Sequence, residues 1–88
     1  MAKYRKKPVV IEAVVAERMR QDEKWGEQNH CPDRWSLILE EEIGEAAKAF
    51  LEGNIEQYRK EMIQAAAVCV AAIEASYRSE RRKHDGEQ

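Results

Sequence analysis

The chain has 88 residues, of which 36% are charged, and its formal net charge is −2. This length fits a single domain with a small core, because a chain of this size buries only about 60–65% of its unfolded surface. The balanced charge disfavours a general nucleic-acid binder. Cys31 falls in a predicted loop and Cys69 in an apolar run, which fits a free thiol and a small core residue in a reducing cytoplasm.

Secretion and membrane insertion are not expected from the sequence. The basic start of the chain is not followed by an apolar stretch of signal-peptide length. The longest nearly apolar run, residues 62–73, is too short to cross a bilayer and contains Gln64. We therefore expect a cytoplasmic protein without a membrane partner.

The first predicted element is a helix from about residue 10 to residue 24. Residues 1–11 are set apart as a basic N-terminal segment, of which we expect residues 1–7 to be solvated or frayed. Proline at a first helical position would begin a helix at Pro8, but the three β-branched residues after it favour a short extended piece. Gly26 predicts the end of the helix through a left-handed cap.

A predicted loop, residues 26–33, follows this helix and is rich in Gly, Asn, Pro and Asp. Trp25 and Trp35 bracket the loop, and His30 lies within it. Two indole rings can form a stacking slot for a flat ligand, with the amides of the loop as hydrogen-bonding groups. In the competing interpretation both tryptophans anchor the core and His30 is an ordinary surface residue.

The second predicted helix begins after Asp33, an expected N-cap, and ends near the Gly53-Asn54 turn. On a helical projection Glu42 falls inside the apolar face, while Glu41 and Glu45 lie at its edge. The apolar residues of this face are Trp35, Ile38, Leu39, Ile43, Ala46, Ala49 and Phe50. An unpaired buried carboxylate costs several kcal/mol, so we expect a cation beside Glu42.

The third predicted helix runs from about residue 56 to residue 78, and residues 79–88 form a polar tail that we expect to fray. From residue 62 to residue 73 this helix is apolar on all sides except at Gln64. A helix that is apolar all round must be buried all round, which here requires partner chains. The sequence thus predicts an all-α helical domain over residues 12–78, a bundle of about three helices per chain completed by oligomerisation.

Inward-facing oxygen donors on two helices form a candidate metal site. Glu41, Glu42 and Glu45 lie on the second helix, and Glu61 and Gln64 share a face of the third. The short connection makes these helices antiparallel neighbours, so the donors meet in a bundle core. Oxygen donors without His or Cys select Mg²⁺ or Mn²⁺ over Zn²⁺, and such a site suits hydrolysis of a phosphoanhydride.

A plainer interpretation competes with the metal site. The acidic residues would then form a solvated face of the bundle, and nearby cations would pair with them. These cations are Lys48, Arg59 and Lys60. Spacing alone does not separate the two interpretations.

The pattern resembles the MazG-like, all-α nucleoside triphosphate pyrophosphohydrolases, which carry EExxE and then, after a gap, ExxD. Here EEIGE at residues 41–45 is followed, after a gap of 15 residues, by EMIQ at residues 61–64. The run ERMRQDEKWGEQNHCPDRW resembles the segment that leads into these helices in small phage-type members. LEEEIGEAAKA and EMIQAAAVCVAAIEA resemble their next two helices. The resemblance covers residues 15–78, and the first residues lie outside it.

The resemblance implies that an NTP or dNTP and water give the monophosphate and pyrophosphate with Mg²⁺ or Mn²⁺, in homodimers or homotetramers. It implies catalytic roles for Glu41, Glu42 and Glu45. The implied metal ligands are Glu42, Glu45 and Glu61, with Gln64 in the position of the family's aspartate. The candidate substrate-binding residues are Trp25, His30 and Trp35 near the nucleobase, together with the cations Lys48 and Lys60.

Gln64 departs from the family pattern, because an amide oxygen is a weaker ligand for a hard cation than a carboxylate and is not a base. Two readings of the function follow. The first is an active pyrophosphohydrolase. The second is a non-catalytic helical assembly or nucleotide-binding module with a weakened metal site.

Overall fold

A computed structural model of the protein describes the backbone of residues 6–86 and the side chains of residues 6–81. These residues form three α-helices and no strand. The helices are α1, Lys7–Trp25; α2, Pro32–Leu51; and α3, Ile55–Gly86. The predicted all-α fold of about three helices per chain is confirmed.

The first helix, α1, begins earlier than the sequence predicted, because Pro8 lies in its first turn. Residues 9–11 are helical rather than extended, and the amide of Val10 already donates to the carbonyl of Lys6 at 2.9 Å. A proline fits a first turn, where its missing N–H has no helical acceptor to lose. The β propensity of the next three residues does not produce an extended segment, since this propensity depends on packing within a sheet. Residues 1–5 of the basic segment lie outside the described residues.

The caps on either side of the loop differ from those predicted. Gly26 has the expected positive φ of 73°, but its ψ of −172° is extended rather than left-handed helical. Cys31, not Asp33, is the N-cap of α2, because Pro32 takes the first helical position. Asp33 lies in the first turn, where its negative charge interacts favourably with the helix dipole.

A tight turn joins α2 to α3. Gly53 adopts a φ of 75°, and the amide of Asn54 donates to the carbonyl of Ala49 at 2.9 Å. The side chain of Asn54 then accepts from the amide of Gln57 at 3.0 Å, which satisfies one free donor at the start of α3. This turn makes α2 and α3 antiparallel neighbours, as the sequence predicted.

The central element is α3, which packs against both α1 and α2, whereas those two helices do not pack against each other. Its 32 residues make a rod of about 48 Å. The helix does not end near Arg78, as predicted, but continues to Gly86 through a polar segment. Strong helix formers in this segment, such as Glu80 and Arg81, account for the extension.

The core lies between α2 and α3 and is small. Trp35 packs with Val68, Ala71 and Ala75. Within residues 6–81, six of the eight buried apolar residues are alanines, which allow a close approach of the helices but bury little area. The single chain leaves much of residues 62–73 uncovered, because Val70 is 38% exposed and Ile73 is 56% exposed. Cys69, predicted to be a small core residue, is exposed on the same stretch.

Further apolar side chains lie exposed on α1 and near the ends of α2. The larger ones are Val9, Val10, Ile11, Val15, Met19, Leu37, Phe50 and Leu51. No buried residue belongs to α1 at all. Among the described residues, none of the helices has the length and apolar character needed to cross a membrane.

Candidate functional site

Three carboxylates converge between α2 and α3. Glu42, Glu45 and Glu61 each offer an oxygen, and these oxygens all lie within 4.8 Å of one another. Glu61 is buried, Glu42 is half-buried and Glu45 is exposed, so the cluster opens towards solvent at one side. We call these three residues the acidic cluster.

Helix geometry explains why the three residues meet. Glu42 is one turn after Ile38 and two turns after Trp35, so it shares their face towards α3. Glu45 lies three residues further on the same face. The tight turn after α2 brings Glu61 opposite both, and buried alanines let the two backbones approach closely.

Two amide side chains bind the acidic cluster. Gln57 donates from Nε2 to Oε1 of Glu61 at 2.6 Å. In the amide orientation that satisfies its neighbours, Gln64 donates from Nε2 to Oε2 of Glu61 at 3.0 Å and to Oε2 of Glu42 at 3.1 Å. Gln64 therefore bridges α2 and α3 as a hydrogen-bond donor, a role that an ionised aspartate could not fill.

Crowding of like charges perturbs the protonation of the acidic cluster. Burial, a hydrogen bond with Glu61 and the negative charges of Glu61, Glu45 and Glu41 raise the pKa of Glu42 to about 7. The pKa of Glu45 is also raised, chiefly by its hydrogen bond with Glu61 and the charge of that carboxylate, while Lys48 opposes the shift. Glu42 therefore ionises less readily than an ordinary glutamate, and a bound divalent cation would favour its ionised form.

A cleft of about 430 Å³ adjoins this cluster, and Glu42 and Gln64 form part of its wall. All three aromatic residues predicted for substrate binding border it, and so do three cationic side chains. The aromatic residues are Trp25, His30 and Trp35, and the cations are Arg20, Lys24 and Arg34. The cleft thus joins aromatic surface, positive charge and the acidic cluster.

The two tryptophans have different environments. Trp25 is 59% exposed, and the ammonium of Lys24 lies 4.7 Å from its ring centroid. Trp35 is only 8% exposed and belongs to the core, while the ring of His30 meets it edge-on at 4.8 Å between centroids. Trp35 is therefore both a core anchor and a wall of the cleft, so the two interpretations of this residue do not exclude each other.

The indole Nε1 of Trp35 is buried without a hydrogen-bond partner among the described residues. Leaving such a donor unsatisfied costs about 1–3 kcal/mol. The remaining packing of the ring against Val68 and Ala71 offsets this cost in the folded chain.

The other predicted site residues lie outside the cleft. Glu41 is exposed, and its charge acts on Glu42 and Glu45. Lys48 acts on Glu45 from outside the wall of the cleft, and Lys60 lies near Glu17 of α1.

Sequence reasoning missed the three cations that do border the cleft. Arg20 and Lys24 are one turn apart on α1, directly before Trp25, which was a usable signal of a shared face. Arg34 immediately precedes Trp35. Because α1 packs only against α3, nothing in the local sequence of α1 showed that Arg20 and Lys24 border the same cleft as Glu42. Arg34 lies two i,i+4 steps before Glu42 on α2, a spacing that the sequence did show.

Comparison of the chain with protein-family models, curated proteins and solved structures found no match. The chemistry of the site therefore rests on its own geometry. The atoms of the acidic cluster that could bind a metal are carboxylate oxygens of Glu42, Glu45 and Glu61. If the side-chain amide of Gln64 turns over, it presents its oxygen to the same point. This donor set fits a hard divalent cation such as Mg²⁺ or Mn²⁺.

Proposed function

We propose that the protein is a metal-dependent nucleoside triphosphate pyrophosphohydrolase, which converts an NTP or dNTP and water to the monophosphate and pyrophosphate. The observation that carries the proposal is the convergence of Glu42, Glu45 and Glu61 within 4.8 Å beside a cleft of aromatic and cationic side chains. The resemblance of the sequence to MazG-like pyrophosphohydrolases, based on residues 41–45 and 61–64, supports the same function.

The proposed cation is Mg²⁺ or Mn²⁺, held by Glu42, Glu45 and Glu61, with the amide oxygen of Gln64 as a neutral donor. Such a cation, when bound, would offset the charge of the phosphates and make a water molecule more acidic. Burial and repulsion already hold the pKa of Glu42 at about 7, so a positive charge at the cluster would relieve an unfavourable arrangement.

The chain's own side chains would bind and orient the substrate. Arg34 and Lys24 bring positive charge for the phosphates, and the exposed face of Trp25 offers a surface on which a base can stack. His30 narrows the cleft by its edge-on contact with Trp35. Glu41, which is exposed beside the cluster, is the candidate to accept a proton from the attacking water.

We also propose that the active form is a homodimer or homotetramer. The single chain buries mainly alanines, while Met19, Phe50 and Ile73 are more than half exposed. Ordering a residue costs about 1–2 kcal/mol in backbone entropy, so a small alanine core gives a marginal monomer. Light scattering at micromolar concentration should give at least the mass of a dimer, and a well-folded monomer would refute this.

A second candidate function is a non-catalytic helical assembly or nucleotide-binding module. The observation that favours it is the position of Gln64, which satisfies Glu42 and Glu61 by hydrogen bonds without any cation. In that case the cleft would bind a nucleotide, and no phosphoanhydride would be cleaved.

Pyrophosphate release from a panel of ribo- and deoxyribonucleoside triphosphates, with Mg²⁺, Mn²⁺ or EDTA, separates these functions. The enzyme should release equal amounts of monophosphate and pyrophosphate, and EDTA should stop the reaction. Nucleotide binding without turnover would favour the assembly module instead. If neither metal nor nucleotide changes the melting temperature, the acidic cluster is not a metal site.

The role of the cleft is tested by Trp25→Ala, with Tyr77→Ala as a control. Both side chains are largely exposed, but Tyr77 does not border the cleft. Since stacking on an aromatic ring contributes about 1–3 kcal/mol, the Michaelis constant should rise about fivefold or more for Trp25→Ala alone. An unchanged Michaelis constant in a folded Trp25→Ala variant would remove Trp25 from the binding site.

A further inference from the structure

The loop between α1 and α2, residues 26–31, is held by a side chain from the far end of the chain. Arg78 of α3 donates from Nε to Oδ1 of Asn29 at 2.8 Å and from Nη2 to the carbonyl of Gln28 at 3.2 Å. Its Nε also lies 3.6 Å from Oε1 of Glu27. One guanidinium thus contacts three successive residues of the loop.

The loop has little else to fix its shape. No backbone–backbone hydrogen bond involves residues 27–30, within the part of the chain that the structure describes. Within the loop, Nδ2 of the Asn29 side chain donates to Oε2 of Glu27 at 3.0 Å. This hydrogen bond joins the two side chains that Arg78 contacts. The guanidinium completes a small polar network in which its planar fork sets the position of the loop.

This loop forms one wall of the cleft beside the acidic cluster. Gln28 and His30 border the cleft, whereas Arg78 does not, so Arg78 acts on the cleft only through the loop. The edge-on contact of His30 with Trp35 depends on the same loop position. A wall that is already ordered lowers the entropy cost of binding a ligand.

We propose that Arg78 is a positioning residue for ligand binding: it fixes the loop of residues 26–31 so that Gln28 and His30 form the wall of the cleft. The identity of the ligand as a nucleotide rests on the proposed function, but the ordering of the loop does not. Arg78→Ala, Arg78→Lys and Asn29→Ala test the contact from both sides. Arg81→Ala, an exposed arginine one turn further along α3, is the matched control.

The first measurement is the NMR signal of the His30 ring, which needs no nucleotide. In the wild type its protons should be shifted by the ring current of Trp35. In Arg78→Ala and Asn29→Ala the signal should move towards that of an unfolded peptide, and in Arg81→Ala it should stay in place. Arg78→Lys should give an intermediate shift, since lysine keeps the charge without the fork. An unchanged signal in both Arg78→Ala and Asn29→Ala would overturn the proposal.

The second measurement is steady-state hydrolysis of the best nucleotide of the panel. Arg78→Ala should raise the Michaelis constant about tenfold and leave kcat within about twofold, because it removes binding shared by substrate and transition state. Asn29→Ala should give a similar but smaller rise, and Arg81→Ala none. If the His30 signal moves while the Michaelis constant does not, the contact is structural only and the positioning role is refuted.

The two measurements distinguish a failure of the proposed function from a failure of the Arg78 proposal. A wild type that hydrolyses no nucleotide refutes the proposed function, while the His30 signal still decides whether Arg78 orders the loop. If Arg78→Ala loses its helical circular dichroism, the His30 signal of Asn29→Ala decides the proposal instead. Asn29 is an exposed loop residue, so its replacement should leave the helices folded.

Discussion

Two regions of the interface between α2 and α3 lie side by side and have opposite character. In one, Trp35 packs against Val68 and Ala71, and burial of apolar surface stabilises the fold. In the other, Glu42 and Glu61 bring like charges together, and burial raises the pKa of Glu42. The same close approach of the helices produces both.

This difference separates a region that stabilises the bundle from one in which burial and repulsion of like charges are unfavourable. Replacing the acidic cluster by apolar residues would make a better core, since buried charges are stabilising only when they are paired. The apolar region is what holds the carboxylates near one another. Each prediction below alters one region and asks how the other responds.

The largest expected effect is that of Glu42→Gln on activity. Removing this carboxylate takes away a proposed metal ligand that belongs to both the acidic cluster and the wall of the cleft, so turnover should fall by more than about a hundredfold. In EDTA the variant should be at least as stable as the wild type, because it loses a buried charge. Thermal melts with EDTA and with Mg²⁺ check this, since metal should raise the melting temperature only of the wild type.

The control for Glu42→Gln is Glu40→Gln, which removes an exposed carboxylate from the same helix. This variant should keep wild-type turnover and its response to Mg²⁺. If Glu42→Gln behaves like Glu40→Gln in both measurements, the cluster is not a metal site.

The next largest effect is that of Trp35→Ala on stability. Loss of this buried ring should lower the free energy of unfolding by about 3–5 kcal/mol, measured by urea denaturation. Trp35→Phe should cost clearly less, because phenylalanine keeps much of the ring and removes the unpartnered Nε1. Equal losses in the two variants would contradict this account of Trp35.

A smaller effect is expected from Gln64→Asp, which joins the two regions of the interface. The new carboxylate should tighten Mg²⁺ binding about tenfold in calorimetry, since affinity for hard cations rises with the charge of the ligands. In EDTA the same variant should melt below the wild type, because it adds a negative charge and loses both hydrogen bonds of the Gln64 amide. A variant that is more stable in EDTA would show that Gln64 does not bridge the carboxylates.

The smallest expected effect is on the pH dependence of stability without metal. The pKa of Glu42 is raised from an ordinary value of 4.5 to about 7, so the folded state binds more protons than the unfolded state between these values. Stability in EDTA should therefore be greatest below about pH 4.5 as far as Glu42 is concerned, and should fall as the pH rises to about 7. The melting temperature should drop by a few degrees across this window, and Glu42→Gln should flatten the profile.

The sequence by itself determined the three helices, the Gly53-Asn54 turn and the shared face of Glu42 and Glu45, because all of these depend on local spacing. It also placed Glu61 and Gln64 on one face of the next helix. It misjudged the ends of elements, such as the start of α1 at Pro8 and the extension of α3 past Arg78, where propensity is weak and a first-turn proline or a run of helix formers decides.

Only the tertiary structure decided which residues meet across the bundle. That α1 packs along α3 alone brings Arg20 and Lys24 to the cleft beside Glu42, and no periodicity within α1 carries that information. The contact between Arg78 and Asn29 joins residues 49 positions apart, so it appears only when the loop folds back onto the long helix. Local spacing fixes which side chains share a face, whereas helix packing fixes which faces come together.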